Sequence, residues 1–219
     1  MRVGQQGIAQ RELASNDVLA LGTQPCHLVG WLAILLAVVL TGCTQEPRVT
    51  FLPNEAYFQA LIPHLTQAKH EIVVSMFLFA SGSHEHNRAN QVKEALIGAT
   101  KRGVRVRLFL EDSDGEDWPS EANRGAATEL TREGIAVSFD SPVRKTHTKL
   151  VIIDQRYVFL GSHNFTHSAL RHNHEASVLI ESPKLAHQAL IYLQHIGELG
   201  AQESVPATEW GRPSARQSR

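Results

Sequence analysis

The chain has few cysteines and almost no net charge. Only Cys26 and Cys43 occur in 219 residues. Two cysteines cannot form a disulfide framework, which excludes the small stapled scaffolds of secreted proteins. The formal net charge is −1, so any attraction for a polyanion must come from a local patch and not from the bulk field. No internal repeat is present, which excludes solenoid architectures. No apolar run reaches the roughly 20 residues of a bilayer-spanning helix. The run LVGWLAILLAVVL at 28–40 has 13 residues and no charge.

That run has the length of the apolar region of an export signal, about 7–15 residues. It ends in Leu40-Thr41-Gly42-Cys43, which resembles the lipobox of bacterial lipoproteins, whose cysteine is lipidated and becomes the first mature residue. The expectation is a signal peptide over 1–42 and a chain anchored in the cell envelope through lipidated Cys43, at the outer membrane or periplasmic face. An uncleaved membrane anchor is the alternative. The segment before residue 28 is long and hardly basic for a signal, since Arg2 and Arg11 are offset by Glu12 and Asp17.

The hydrophobic content of the whole chain, 42%, is ordinary for a globular protein. Strand-length apolar runs alternate with helix-period segments. Asn54 is placed to cap a helix over 55–69, with Ala56, Phe58, Leu61, Ile62 and Leu65 on one stripe and Pro63 inside it. A buried strand over 71–80, a helix over 88–102 closed by Gly103, and a strand over 104–110 follow. Residues 111–120 read as a polar loop. A third helix reaches about 133 and is closed by Gly134. Strands are expected over 135–139, 146–154, 157–162 and 174–181, and a last helix starts at Pro183. The pattern predicts an α/β fold, a mixed β-sheet flanked by helices on both faces. One catalytic domain is expected over 43–200, with a mobile polar tail over 201–219.

Chemistry concentrates between 147 and 175. His147-Thr-Lys149-Leu-Val-Ile-Ile-Asp154 has the form H-x-K-x-x-x-x-D; Gly161-Ser162-His163-Asn164 and Asn173-His174-Glu175 follow. In a strand His147 and Lys149 share a face, about 7 Å apart, which lets an imidazole and an ammonium converge on one phosphate. Ser162 and Asn164 share a face in the same way and can donate hydrogen bonds to phosphate oxygens. Asp154 has the opposite parity and sits at a turn, where a structural anchor is the better reading. A lysine in an otherwise apolar strand is seldom buried without a role.

These residues resemble the phospholipase D superfamily, and their spacing resembles its single-motif bacterial endonucleases. The resemblance spans most of 49–200. It implies a metal-independent phosphodiesterase without cofactor. His147 would attack phosphorus to give a covalent phosphohistidine, with Lys149 and Asn164 neutralising and orienting the diester. Glu175 would orient the His147 ring. The acid for the leaving group is, in the family, the histidine of a second motif. This chain has one motif, so the resemblance implies a homodimer with a shared site.

Other clusters read as ordinary surface. His84-Glu85-His86 has no third ligand at suitable spacing and reads as a solvated loop. In Asp112-Ser-Asp114-Gly115-Glu116-Asp117 the glycine falls at position 4, where a calcium loop needs it at 6. His163, His167, His172 and His174 crowd the rim without an assigned role. For substrate, Arg144 and Lys145 precede His147 and Arg171 precedes Glu175, while only Phe165 and Leu170 offer an apolar rim. This favours nucleic acid over phospholipid, although the acidic stretch 111–117 counts against a wide polyanion groove. A phospholipase D acting on lipid head groups is the alternative. A non-catalytic anion-binding surface lipoprotein is a third reading, against which the complete motif argues.

Overall fold

The computed structural model describes residues 46–83, 86–113, 116–140 and 144–203, the last six by backbone alone. The signal segment, Cys43, the His84-Glu85 pair, Asp114-Gly115 and nearly all of the expected tail lie outside the described residues. Among the described residues no helix is long and apolar enough to cross a membrane.

The strands are β1 (Arg48–Pro53), β2 (Glu71–Met76), β3 (Arg105–Leu110), β4 (Ala136–Phe139), β5 (Lys149–Ile153), β6 (Tyr157–Gly161) and β7 (Ala176–Glu181). The helices are α1 (Glu55–Gln67), α2 (Arg88–Lys101), α3 (Trp118–Arg132), α4 (His167–Arg171) and α5 (Pro183–Glu203). One sheet holds all seven strands in the order β1-β7-β6-β5-β2-β3-β4. The pairs β2–β3 and β3–β4 are parallel and the other four are antiparallel. The mixed sheet with helices on both faces is the architecture the sequence pattern predicts.

The central strands are buried along their whole length, EIVVSM in β2 and KLVII in β5, because alternate side chains feed two cores. Ile72, Val74, Val151 and Phe159 pack with α1, α2 and α3 residues such as Leu61, Leu96 and Leu130. Val73, Ile152 and Val158 pack under α5 through Ala186, Leu190 and Leu193. Pro63 lies within α1, which continues past it to Gln67.

The antiparallel register brings strand ends together at one pole. Lys149 opposes Met76, Gly161 opposes Ser177, and Pro53 opposes Ala176. The first residues of β5 and β7 and the last residues of β1, β2, β3 and β6 therefore converge.

Several sequence expectations need correction here. β1 and α4 were not anticipated. β1 is an edge strand with five of its six residues exposed, so it carries no buried run to read. His147 precedes β5, Ser162 and Asn164 follow β6, and Glu175 precedes β7. These residues sit just off the strand ends and not on a strand face. Asn54 makes no side-chain cap to α1. The residue expected to open a polar loop, Glu111, is fully buried. Helix α3 begins at Trp118, capped by Asp117, whose side chain accepts from the Ser120 N–H.

Candidate active site at the convergent strand ends

Beyond β2 the chain stays extended, and the Phe77 N–H donates to the Thr148 carbonyl at 2.9 Å. This carries the β2–β5 ladder one step further and sets Phe77 beside the motif. The His147 ring packs on Phe77 with centroids 4.6 Å apart. The Lys149 ammonium lies 4.7 Å from the same ring and donates to the His147 carbonyl at 2.9 Å. Lys149 is only 7% exposed, whereas His147 is exposed. The arrangement presents an accessible imidazole in front of a buried cation.

Burial, followed by the positive charges of Lys149 and Lys145, holds the His147 pKa below its ordinary value. The neutral imidazole, the form able to act as a nucleophile, therefore prevails near neutral pH. Burial also lowers the Lys149 pKa, against the opposing charge of Glu175.

Two side chains hold the 144–148 segment and Phe77. Asp140, at the end of β4, accepts from the backbone N–H groups of Thr146 and of Asp112, the latter at 2.8 Å. Asn123 on α3 is fully buried; its amide donates to the Phe77 and Glu111 carbonyls and accepts from the Phe79 N–H, each at 2.8 Å. Asn123 was not anticipated. Its signal is a polar residue on the apolar stripe completed by Ala126, Ala127 and Leu130.

The second half of the site lies across β6 and β7. Gly161 permits their closure: a Cβ there would fall 2.1 Å from Ser177 Oγ and 2.4 Å from Ser177 Cα. Ser162 Oγ donates to Glu175 and accepts from the Ala176 N–H at 3.0 Å. Asn173 Nδ2 donates to the other Glu175 oxygen at 3.1 Å. Glu175 is expected to orient His147; its carboxylate instead receives Ser162 and Asn173, and the His147 ring has no hydrogen bond among the described residues. The buried Asn164 amide oxygen also has no partner among the described residues.

Asn54 ties β1 to this half. It has φ 49°, its N–H donates to the Glu175 carbonyl at 2.9 Å, and its side-chain oxygen accepts from the Glu175 N–H at 3.0 Å. His163 is fully buried. It donates from Nε2 to the Asn54 carbonyl at 2.9 Å, shares a 2.7 Å hydrogen bond with Ser177 Oγ, and stacks on Tyr57. With both nitrogens engaged it supports the β1–β7 corner and does not face solvent.

Asp154 lies at the opposite pole, at the far end of β5. It accepts from the N–H groups of Lys69 at 2.9 Å, His70 at 2.7 Å and Glu71 at 3.1 Å. Asp154 and Gln155 both have positive φ, and the turn closes with Arg156 N–H donating to the Ile153 carbonyl at 3.1 Å, the conformation of a type I′ turn. Among the described residues no group of three or more His, Cys, Asp or Glu could hold a metal ion.

An imidazole, a buried lysine, a Ser–Glu pair and an amide meet at one strand pole. Residues 61–196 match the family described as cardiolipin synthase, PLD-like domain. The chain belongs to the phospholipase D-like family. The protein named phospholipase D from Rickettsia prowazekii is 39% identical over 104 residues, 48% of this chain and 47% of that protein. The match thus spans about half the length of that relative. The Rickettsia typhi phospholipase D is 31% identical over 155 residues, 71% of this chain and 68% of its own length. Among solved structures, the phospholipase D family member Nuc from Salmonella typhimurium superposes with a TM-score of 0.60 at 27% identity, covering 71% of this chain and 97% of Nuc. NucT from Helicobacter pylori shares the fold, with a TM-score of 0.58 at 17% identity and coverage of 70% and 97%.

Proposed function

We propose that the chain is a phosphodiesterase that uses His147 as its nucleophile and acts on nucleic acid. The observation that carries the reading is the exposed His147 imidazole seated on Phe77 with the buried Lys149 ammonium behind it. In the first step an imidazole nitrogen forms a bond to phosphorus, the P–O bond to one ester oxygen breaks, and that oxygen takes a proton from an acid. In the second, water attacks phosphorus and gives its proton to the group that acted as acid, the N–P bond breaks, and a phosphomonoester leaves. Lys149 offsets the negative charge that accumulates on the equatorial oxygens. The Asn164 amide is available to hydrogen-bond one of them, and the Ser162–Glu175 pair fixes the wall opposite. The mechanism needs an acid in line with the leaving oxygen, which one His147 cannot also be. We propose that a second copy of the chain supplies its own His147 across a two-fold axis.

The rim favours a polynucleotide. Arg144 and Lys145 are exposed beside His147, and Arg171 lies on α4. Phe165 and Leu170, the two candidates for an apolar rim, are both fully buried. Glu111, the first acid of the stretch that argues against a polyanion, is buried and paired with Lys145. A phospholipid substrate is the second reading. It is supported by the names of the Rickettsia relatives and by exposed Val49, Phe51 and Leu160 on the β1 side of the sheet.

One assay tests both. Purified protein with excess EDTA is given single-stranded DNA, duplex DNA, RNA and phosphatidylcholine vesicles. Turnover of a polynucleotide is expected. Turnover of phosphatidylcholine alone would transfer the reading to lipid. Activity lost to chelator and restored by a divalent metal would overturn the phosphohistidine chemistry.

A further inference from the structure

One buried acid at the floor of the site has no part in the chemistry above. Glu111 follows β3 and is 0% exposed. Neither of its carboxylate oxygens has a hydrogen-bond partner among the described residues. The cation beside it is Lys145, whose ammonium stands 3.2 Å from one oxygen. The other charges facing it are unfavourable: Asp140 at the end of β4 and Asp117 at the start of α3. Burial, with Lys145 opposing it, holds the Glu111 pKa above the ordinary carboxylate range. A buried acid whose charge is met by a single half-exposed lysine lowers the stability of the fold when it ionises. Packing therefore does not explain its presence.

The location suggests what it does. The Glu111 carbonyl is held by the same Asn123 amide that holds Phe77. Lys145, two residues before His147, lies 6.0 Å from the Phe77 ring, the ring that also carries His147 and Lys149. The Lys145 side chain is half exposed. Without an anchor, such a lysine would spread over many rotamers.

We propose that Glu111 is a positioning residue, whose buried carboxylate holds Lys145 at the mouth of the site as a second cation that binds the anionic diester beside Lys149. The inference rests on the phosphodiesterase reading and adds a specificity element to it. Lys145 meets the substrate. Glu111 acts only through Lys145, and its effect falls on substrate binding more than on the chemical step.

The test uses full-length wild type, Lys145→Met, Glu111→Gln and the double variant at one fixed pH of about 8, with bis(p-nitrophenyl) phosphate as substrate, whose nitrophenolate leaving group needs no proton from an acid. Lys145→Met should raise KM about tenfold, the scale of one charge-assisted hydrogen bond, with kcat affected less. Glu111→Gln should reproduce most of that rise while its melting temperature stays level or increases. A merely structural role would lower the melting temperature instead. The double variant should resemble Lys145→Met alone, because the two residues act as one unit. The inference is overturned if Glu111→Gln keeps the wild-type KM, or if the double variant shows the product of the single effects. Should Glu111→Gln fail to fold, Lys145→Met decides, and an unchanged KM overturns the proposal. No turnover by wild type would instead overturn the phosphodiesterase reading itself.

Discussion

Replacing Asp154 separates anchoring from chemistry. Its carboxylate accepts three consecutive backbone N–H groups, those of Lys69, His70 and Glu71, and so fixes the start of β2 to the β5–β6 turn. Hydrogen bonds to an ionised acceptor contribute about 1.5–3 kcal/mol each, so three set an upper bound of about 5–9 kcal/mol. Lys69 and His70 are exposed, and water replaces the carboxylate there. Glu71 is buried, and its N–H is left without an acceptor, at about 1–3 kcal/mol. Asp154 also has φ 51°, which alanine tolerates worse than aspartate by about 1 kcal/mol. The sum for Asp154→Ala is about 3 kcal/mol of lost stability. Asp154→Asn keeps an acceptor and the backbone conformation, and should lose about half of that. Urea unfolding should show the midpoint falling with the slope unchanged. Burial works to raise the Asp154 pKa, but the His70, Lys69 and Glu71 bonds outweigh it and hold it below the ordinary value. The stabilisation is therefore present above the unfolded-state pKa and is lost as pH falls through the depressed folded value; Asp154→Asn should lack this acid-dependent loss. Folded Asp154→Ala should retain turnover, since Asp154 is at the far end of β5 from His147. A variant that stays fully folded yet is as inactive as His147→Ala would refute the reasoning.

Other outcomes follow from the same geometry. His147→Ala should reduce turnover to background, and Lys149→Ala should lower it about 10²–10³-fold, as for loss of one charge-stabilising donor; Lys149→Ala with near-normal kcat would sink the role given to the buried ammonium. The acid limb of kcat/KM should lie below the ordinary histidine value of about 6.5, because burial, Lys149 and Lys145 all disfavour imidazolium. Lys145→Met should move the limb upward, and a limb that does not move would separate Lys145 from His147. Wild-type chains mixed with excess His147→Ala chains should lose activity beyond simple dilution, since each mixed dimer lacks one imidazole; a fully active monomer in light scattering would exclude the shared site. We further propose envelope anchoring through Cys43. Labelled palmitate should enter the wild type and not Cys43→Ala, and unlipidated protein in the cytosol would count against it.

The sequence alone determined the fold class and the family, and it named the candidate site residues. Apolar runs of strand length between helix-period segments suffice for a sheet with helices on both faces, because a strand buried on both sides must be apolar throughout. The motif spacing singled out His147, Lys149, Ser162, Asn164 and Glu175, because residues a few positions apart at the ends of paired strands stay close in space. Tertiary structure decided what lies across the sheet. Phe77 comes from the extended segment after β2, Asn123 from a helix 46 residues on, and Asn54 reaches Glu175 across 121 residues. None of these contacts has a local signature. Glu111 reads as polar loop because polarity along the chain reports solvent only on average. Its burial follows from the closing of β3, α3 and the segment before His147 around it, and a one-dimensional pattern does not encode that three-way contact.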